Sequence, residues 1–379
     1  MDRVFVKRVG SYEDDLFDKI ENAVNSIGGI TNYVSDGDRV VLKVNLLMGK
    51  NPDDAVTTHP EIVKSVAKLV KKAGGIPVIA DSPGGPFNDL NLNRAYKNSG
   101  FEEIAEEENI ELNRDTGGTK VDFSSGKIKK SFTIANYAQN ADLIINLPKL
   151  KTHGLTMYTG AVKNLFGIVP GLLKAEYHLN LQEVKHFSEM LVDLAELISP
   201  QLTIMDGIWG MEGDGPSGGE VKKFEHILIS TSPYAVDVVG SYVMGISPQD
   251  KVPTIASSQD RNLVDNLDNI EILGEQLKSY KDTKIPKIEK KSNLIDQKLP
   301  DFLSNFLTNI LRPRPIFNHD KCVGCGVCVE SCPADTIDLI NSKAVVELND
   351  CIRCFCCQEL CGYNAVEIKR PILGKLLFS

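Results

Sequence analysis

Short apolar runs and longer amphipathic segments alternate along most of the chain. The run RVVLKVNLL at 39–47 predicts a buried strand, because most of its residues are apolar. The segment HPEIVKSVAKLVKKAGG at 59–75 has apolar residues at helical spacing, with a proline in its first turn and glycine at its end. GIPVIADSPGG at 75–85 predicts the next strand and its loop. This order of strand, helix and strand predicts a βαβ unit with parallel strands.

The same alternation continues beyond this unit. Further strands are predicted at 142–147, 202–206, 226–230 and about 270–273. Helices are predicted at 94–107, 155–166, 183–198 and 233–244, and an inserted hairpin at 119–134. We therefore predict an α/β body over residues 1–275, built on a mainly parallel, Rossmann-like sheet that helices cover on both faces.

Composition and charge limit the class of protein. The chain has 379 residues, of which 42% are hydrophobic and 25% are charged, as expected for a soluble globular protein of two or three domains. A net charge of −9 argues against general binding of nucleic acid, which requires a basic face. No apolar run approaches the ~20 residues of a membrane span. The N-terminus has no signal-peptide pattern, so we expect a cytoplasmic location.

All nine cysteines lie between Cys322 and Cys361. They form two runs, KCVGCGVCVESCP and CIRCFCCQELCG, each with the spacing C-x2-C-x2-C-x3-C of bacterial [4Fe–4S] ferredoxins. In that pattern three cysteines of one run bind one cubane, and the fourth completes the other. The predicted ligands are Cys322, Cys325, Cys328 and Cys361 for cluster 1, and Cys332, Cys351, Cys354 and Cys357 for cluster 2. The alternatives are disulfides and zinc sites. Zinc sites favour two C-x2-C pairs.

The C-terminal region resembles the two-cluster ferredoxin family over residues 316–370, in these cysteine runs and in the segments IFNHDKC, DTIDLI and AVEIKR. The resemblance implies a small α+β domain whose two [4Fe–4S] clusters pass single electrons. Two positions depart from the family: Gly362 stands where proline is usual, and Cys356 is an additional cysteine. We expect Cys356 to be a bystander thiol, although a neighbour of a cluster could tune or replace a ligand.

Polar residues gather after the predicted strands, on loops longer than simple connectors need. Ligands of open α/β sheets bind beyond the carboxyl ends of the strands, so these residues predict a pocket. Those expected to bind substrate or cofactor are Lys43, Asn45, Thr58, His59, Asp81, Ser82, Asn164, Lys174, His178 and Asp214. Those expected to take part in catalysis are Lys149, Lys151, His153, Lys163 and Asp206. The lysines predict an anionic ligand: a phosphate, a carboxylate or a nucleotide-like cofactor.

Each of these residues also has a structural interpretation. Loop lysines are commonly solvated surface charges, and His59 could cap the helix that follows it. Asp206 and Asp214 could make turn hydrogen bonds rather than bind a metal or orient a hydroxyl. His153 is the candidate acid or base, because it lies among lysines in a loop. The sequence contains no Walker motif and no dinucleotide fingerprint, which argues against those nucleotide-binding classes.

The body resembles the prokaryotic family called domain of unknown function 362 over about residues 38–250. The blocks that carry the resemblance occur in the order KVNLL, TTHPEIV, ADSPGG, INLPKLKTHGL, TGAVKNLFG, MDGIWGMEGDGPSGG and YAVDVVGSYVMG. Members often carry a C-terminal two-cluster ferredoxin module, and the resemblance implies redox chemistry at a shared site without naming a substrate. Residues 276–315 are expected to form a linker and capping helix, and 371–379 an apolar tail.

Two functions stand first from the sequence, ahead of a ligand sensor or a hydrolytic or transfer enzyme in which the clusters are regulatory. The favoured one is an iron–sulfur oxidoreductase that exchanges electrons with a soluble partner protein. Its two [4Fe–4S] clusters would reduce an anionic small molecule, or an additional organic cofactor of unknown identity, in a lysine-rich cleft. Reduction adds negative charge, which lysines and a proton donor stabilise. The alternative is a non-catalytic electron carrier or cluster-bearing adaptor whose body docks a partner redox complex.

Overall fold

A ten-stranded sheet runs through the body of the protein. The structure is a computed structural model that describes residues 1–286 and 313–370. The strands of the body are β1 (Arg3–Arg8), β2 (Arg39–Val44), β3 (Ile76–Ala80), β4 (Glu111–Leu112), β5 (Gly118–Asp122), β6 (Ser131–Ala135), β7 (Leu143–Leu147), β8 (Lys149–His153), β9 (Met157–Thr159), β10 (Leu202–Glu212), β11 (Glu220–Ser230) and β12 (Glu271–Gly274). The sheet has the order β12-β1-β11-β10-β7-β2-β3-β4, with β8 beside β10 and β9 beside β8. Strands β5 and β6 form a separate hairpin.

Most neighbouring strands of this sheet are parallel. The pairs β12–β1, β10–β7, β7–β2, β2–β3 and β3–β4 are parallel, whereas β11 runs antiparallel to both β1 and β10. The predicted α/β body with a mainly parallel sheet is therefore confirmed.

Helices cover both faces of the sheet. They are α1 (Leu16–Ser26), α2 (Pro60–Lys72), α3 (Asp89–Asn98), α4 (Phe101–Glu108), α5 (Asn136–Gln139), α6 (Ala161–Asn164), α7 (Leu173–Asn180), α8 (Val184–Ile198), α9 (Pro233–Val243) and α10 (Pro253–Gln259). Short 3₁₀ helices occur at Ile30–Asn32, Pro52–Asp54, Leu165–Ile168, Pro248–Asp250 and Leu267–Asn269.

Strand β2 shows why the sheet lies between two helical layers. Its residues are almost all apolar and buried, and successive side chains of a strand point to opposite faces. Val40 and Leu42 join the core that includes residues of α1 and α2, while Val41 joins the core built on α8. A strand that is buried on both faces needs a continuous apolar run, which is the pattern in the sequence.

The C-terminal module is small and is described over residues 313–370. Its elements are β13 (Arg314–Phe317), α11 (Val327–Glu330), β14 (Ile337–Ile340), β15 (Lys343–Val346), α12 (Cys356–Glu359) and β16 (Val366–Lys369). Strand β13 pairs antiparallel with β16, and β14 pairs antiparallel with β15. The predicted small α+β ferredoxin-like module is therefore present.

Several element boundaries differ from the sequence predictions. The segment expected to be one helix at 94–107 is two helices, because Gly100 adopts a left-handed φ of 74° between α3 and α4. The predicted helix at 155–166 is wrong in its first part, where β9 pairs with β8. The residues KLKTH, expected in a loop, form β8, and β10 extends beyond the predicted strand at 202–206 as far as Glu212.

Some elements of the body were not predicted, and two predicted segments lie mostly or wholly outside the described residues. Strand β1 and helix α1 were not predicted. The proposed linker and capping helix at 276–315 falls mostly outside the described residues, and so does the proposed apolar tail at 371–379.

Candidate functional site

The C-terminal module gathers its cysteines around two cavities. One is lined by Cys322, Cys325, Cys328 and Cys361. The other is lined by Cys332, Cys351, Cys354, Cys356 and Cys357. These are the two predicted ligand sets, with Cys356 added to the second. All nine cysteines are free of disulfides.

The surroundings of the sulfur atoms suit thiolate ligands. Thr336 N donates to Cys332 Sγ over 3.4 Å, and Ala344 N donates to Cys322 Sγ over 3.5 Å. The hydrogen bond from Ala344 lowers the pKa of Cys322. Backbone donors of this kind stabilise cluster sulfurs. The residues present therefore fit iron–sulfur clusters. A site for a single metal ion is a different matter: within residues 1–286 and 313–370, no group of three His, Cys, Asp or Glu side chains is placed to hold one.

The two cysteine runs have the same backbone geometry. Gly324 and Gly326 of the first run have φ values of 69° and 80°. At the equivalent positions of the second run, Arg353 and Phe355 have φ values of 57° and 64°. The turn is thus kept even where the sequence lacks glycine, the residue that adopts this conformation without strain. Other equivalent pairs are Val327 and Cys356, Glu330 and Glu359, and Ser331 and Leu360.

The second run packs against the body through α12, all of whose residues are buried. Ser217 Oγ donates to the carbonyl oxygen of Glu359 over 2.7 Å. Gln358 Nε2 donates to the carbonyl oxygen of Asp214 over 3.0 Å, and Arg370 pairs with the Asp214 carboxylate at 2.6 Å. Asp214, predicted to bind a ligand, is therefore a docking residue that lies outside the cavity described next.

A cavity of about 100 Å³ lies where the body and the module meet. The predicted site residues that line it are Asn45, Asp81, Ser82, Lys151, His153, Lys163, Asn164, Lys174 and His178. The module contributes Ser331, Cys356, Glu359 and Leu360. Cys356 also lines the second cysteine cavity and Leu360 the first. Single side chains therefore separate the shared cavity from both cysteine sets.

Two of the lysines are held by neutral oxygen acceptors. Lys151 Nζ donates to Asn45 Oδ1 and to the Val56 carbonyl, both at 2.8 Å. Burial, together with nearby lysines, lowers the pKa of Lys151 to about 7. Lys174 Nζ donates to Ser82 Oγ at 2.9 Å and to two backbone carbonyls, and burial lowers its pKa to about 7 as well. Both ammonium groups are close to losing their protons at neutral pH.

Lys163 differs from these two lysines. Among the described residues it makes no hydrogen bond or ion pair, and its Nζ lies 5.6 Å from the ring centre of Phe166 and 6.0 Å from that of Phe187. Burial lowers the pKa of Lys163, while Glu359 and Cys356 act in the opposite direction. An ammonium group near aromatic rings and without a hydrogen-bond acceptor leaves its hydrogen-bonding capacity unused.

His153 and Glu359 meet across the boundary between body and module. Two backbone N–H groups, at 3.1 and 3.4 Å, donate to His153 Nδ1, so the ring proton resides on Nε2. That nitrogen lies 3.1 Å from Glu359 Oε1, without the alignment of a good hydrogen bond. Burial raises the pKa of Glu359, but His153, Lys163 and His178 outweigh it and hold this pKa at about 2. Burial lowers the pKa of His153, and the nearby charge of Lys163 lowers it further.

A chain of amide groups fixes the polar wall of the cavity. Asn45 Nδ2 donates to Asn164 Oδ1 at 3.0 Å, and Asn164 Nδ2 donates to Asn146 Oδ1 at 2.8 Å. Asn146 in turn donates to the Ala161 carbonyl at 3.0 Å. Because Asn45 also accepts from Lys151, this chain links a cavity lysine to the first residue of α6.

Five further predicted residues lie outside the cavity lining and make contacts within the body: Lys43, Thr58, His59, Lys149 and Asp206. Lys43 pairs with Asp81 at 2.9 Å. Thr58 Oγ1 donates to the Leu147 carbonyl at 2.6 Å. These residues hold the loops that follow β2 and β7.

Lys149 and Asp206 form an ion pair at 2.8 Å with both side chains fully buried. Tyr12 OH donates to Asp206 Oδ1 at 2.9 Å, and His59 N donates to Asp206 Oδ2 at 2.9 Å. His59 also caps α2, where its Nδ1 accepts from Glu61 N. The structure therefore gives Lys149, Asp206 and His59 contacts within the body rather than a position in the cavity.

Sequence reasoning missed the cavity residues that come from the module. Glu359 and its equivalent Glu330 occupy the same position of the two cysteine runs, yet only Glu359 is buried against the body. Ser331 precedes a predicted cluster ligand and carried no separate signal. Tyr12 was missed because the N-terminal segment was not assigned any element; it stacks on His59 with ring centres 3.6 Å apart.

Comparison with known proteins agrees with this two-part architecture of an α/β body and an iron–sulfur module. The model of the domain of unknown function DUF362 matches residues 40–242, and that of a 4Fe-4S dicluster domain matches residues 314–362. The chain belongs to the DUF362 family, and it carries a ferredoxin-type domain with the capacity for electron transfer.

Relatives match both parts. The thylakoid-associated protein sll1697 of Synechocystis sp. is 36% identical over 258 residues, which cover 68% of this chain and 78% of that protein. The ferredoxin of Methanothermococcus thermolithotrophicus is 34% identical over 55 residues, which cover 14% of this chain and 92% of the ferredoxin.

Among solved structures, the lactate racemase apoprotein from Thermoanaerobacterium thermosaccharolyticum aligns with a TM-score of 0.38 at 12% identity. The alignment covers 62% of this chain and 55% of that chain. Among the described residues, no helix has the length and apolar character to cross a membrane.

Proposed function

We propose that the protein is an iron–sulfur oxidoreductase that transfers electrons to a small anionic molecule bound in the cavity between body and module. When bound, the two [4Fe–4S] clusters supply single electrons. The observation that carries the proposal is that Cys356 and Glu359 of the module line the same cavity as Lys151, Lys163 and Lys174 of the body. A molecule in this cavity would lie against the module that bears the cysteines.

The charge of the cavity favours an anion. Three lysines line it, and of its two carboxylates Asp81 is already paired with Lys43. Burial lowers the pKa of each of the three cavity lysines, which means that the enclosed positive charge lacks full compensation. An anionic ligand would supply it. The volume of about 100 Å³ is below the ~300–1,000 Å³ of pockets that hold drug-sized ligands, so we propose a ligand of a few heavy atoms rather than a flavin.

Lys151 and Lys174 are the best-placed proton donors. General acids work best when their pKa lies near the working pH, and both of these lysines have a pKa of about 7. His153 Nε2 lies 3.1 Å from Glu359 Oε1, and burial lowers the pKa of His153. We therefore propose that His153 positions Glu359, while a lysine protonates the reduced ligand.

We propose that a soluble electron-transfer protein approaches the first cysteine set. Cys325 is exposed, and so are the apolar side chains of Val323 and Tyr363 in the lining of the same cavity. The second set faces the body through Cys356. Electrons would thus enter at cluster 1 and leave from cluster 2. We propose a cytoplasmic location, because the nine cysteines form no disulfides, and we propose no nucleic-acid partner.

Stopped-flow reoxidation tests the proposal. The full chain, purified anaerobically and reduced with limiting dithionite, is mixed with a panel of small carboxylates and phosphate monoesters that each carry a reducible carbonyl group or conjugated double bond, while the visible absorbance of the clusters is followed. At least one anion should reoxidise the wild type, and Lys163→Met should abolish this while Lys185→Met, at an exposed lysine of α8, leaves it unchanged. If no anion reoxidises the clusters but a partner redox protein does, the carrier or adaptor function takes the place of this proposal.

A further inference from the structure

The cavity contains a buried hydroxyl without a partner. Ser331 is 2% exposed, its Oγ has no hydrogen-bond partner among the described residues, and it lines the cavity. A buried polar group without a partner is costly, and native structures usually supply a ligand or a water for it. Neither the predicted cluster ligands nor the proposed proton donors use this hydroxyl.

A second unused donor faces the same cavity from the body. Lys163 makes no hydrogen bond or ion pair among the described residues, and its ammonium group lies near the rings of Phe166 and Phe187. His178 also lines the cavity, and its contacts are ring packing against Phe187 at 4.3 Å and against Phe166 at 6.0 Å. Donors without acceptors therefore reach this cavity from both the module and the body.

Ser331 and its equivalent in the second cysteine run lie against the same loop of the body. Ser331 and Leu360 are equivalent in the two runs, and both meet the loop that follows β3. A Cβ on Gly84 would overlap Leu360 Cδ2, and a Cβ on Gly85 would lie 3.7 Å from Ser331 Oγ. The two runs therefore straddle this loop, with an apolar contact on one side and a hydroxyl on the other.

We propose that the ligand is an oxyanion held jointly by Lys163 of the body and Ser331 of the module. An oxyanion accepts from both donors at once, and of the two carboxylates in the cavity Asp81 is already paired with Lys43. Glu359 shares the cavity but is engaged with His153 at 3.1 Å. This inference rests on the proposed function and adds that the site is complete only when the module is docked.

The position of Ser331 would place a bound oxyanion next to a predicted cluster ligand. The residue immediately precedes Cys332, a predicted ligand of cluster 2. An oxyanion bound to the Ser331 hydroxyl would therefore be held beside the cysteine set from which electrons leave. Binding and electron delivery would then share one interface, and an undocked module would leave the body with a weaker anion site.

Binding calorimetry on the anaerobically purified, cluster-loaded full chain tests the inference, with inorganic phosphate and acetate as separate probes. Ser331→Ala should weaken binding of at least one probe by about tenfold to a hundredfold, as expected for a hydrogen bond to a charged group. Ser342→Ala, at the exposed serine of the same module, should leave affinity unchanged. Loss with phosphate alone, acetate alone or both supports the site and shows which oxyanion it accepts.

Melting temperatures separate this effect from misfolding. Because the Ser331 hydroxyl has no partner, its removal should leave the melting temperature of the ligand-free protein equal or higher, while the increase caused by phosphate becomes smaller. Wild-type affinity in Ser331→Ala together with lost affinity in Lys163→Met would overturn the joint site and leave the proposed function standing. If neither probe binds the wild type, the anionic ligand of the proposed function is overturned as well.

Discussion

Gly84 lies against the Leu360 side chain of the docked module. A Cβ there would overlap Leu360 Cδ2 and lie 3.2 Å from Cγ and 3.3 Å from Cδ1. Gly84→Ala therefore forces Leu360 out of its position or displaces the module. Overpacking of this kind costs about 1–3 kcal/mol. At ~2–4 °C per kcal/mol for a chain of moderate size, the apparent melting temperature should fall by several degrees.

Anaerobic scanning calorimetry of the cluster-loaded chain measures this fall. Gly362→Ala is the matched control, because a Cβ at Gly362 meets nothing within 4 Å. Neither glycine has a left-handed φ, so alanine adds no backbone strain at either position. In the double variant Gly84→Ala/Leu360→Ala the two effects should be less than additive by about 1–3 kcal/mol, because the clash is gone. Additive effects, or a Gly84→Ala protein as stable as the control, would refute the docking contact.

Three further predictions follow from the buried groups. Lys149→Met leaves Asp206 without its cation and should destabilise the fold by about 3–5 kcal/mol; an unchanged melting temperature would be incompatible with that ion pair. The affinity for sulfate should fall as pH rises through 7, because burial lowers the pKa of Lys151 and Lys174 to about 7 and only their protonated forms attract the anion. Calorimetry from pH 6 to 8 measures this, and a constant affinity would contradict it. Cys356→Val should retain about eight irons per chain, whereas loss of about half would make Cys356 a ligand.

The sheet was predictable where apolar runs are continuous. Strands β2 and β7 are buried on both faces, and such strands have an unambiguous pattern. Strand β8 has the sequence KLKTH, which contains one apolar residue, follows a proline and was expected in a loop. All five of its residues are buried, because Lys149 finds Asp206 and Lys151 finds Asn45. Tertiary partners, which the local sequence does not show, allow lysines to occupy a buried strand.

The candidate site was predictable in part for a similar reason. Nine of the predicted polar residues converge on one cavity, as expected for residues that follow parallel strands. Glu359 and Ser331 were not predictable, because they enter the cavity only through docking of the module. Glu330 has the same place in the repeat as Glu359 but lies exposed. The repeated sequence therefore does not indicate which copy faces the body.

The central claim is that the cluster-bearing module and the lysine-lined cavity act as one redox site. A potentiometric titration followed by electron paramagnetic resonance, with and without inorganic phosphate, tests this claim most directly. We predict that phosphate lowers the reduction potential of one cluster and leaves the other unchanged, because an anion beside the second cysteine set opposes the added electron. The effect should disappear in Lys163→Met. Potentials that phosphate leaves unchanged in a protein with its full iron content would contradict the account.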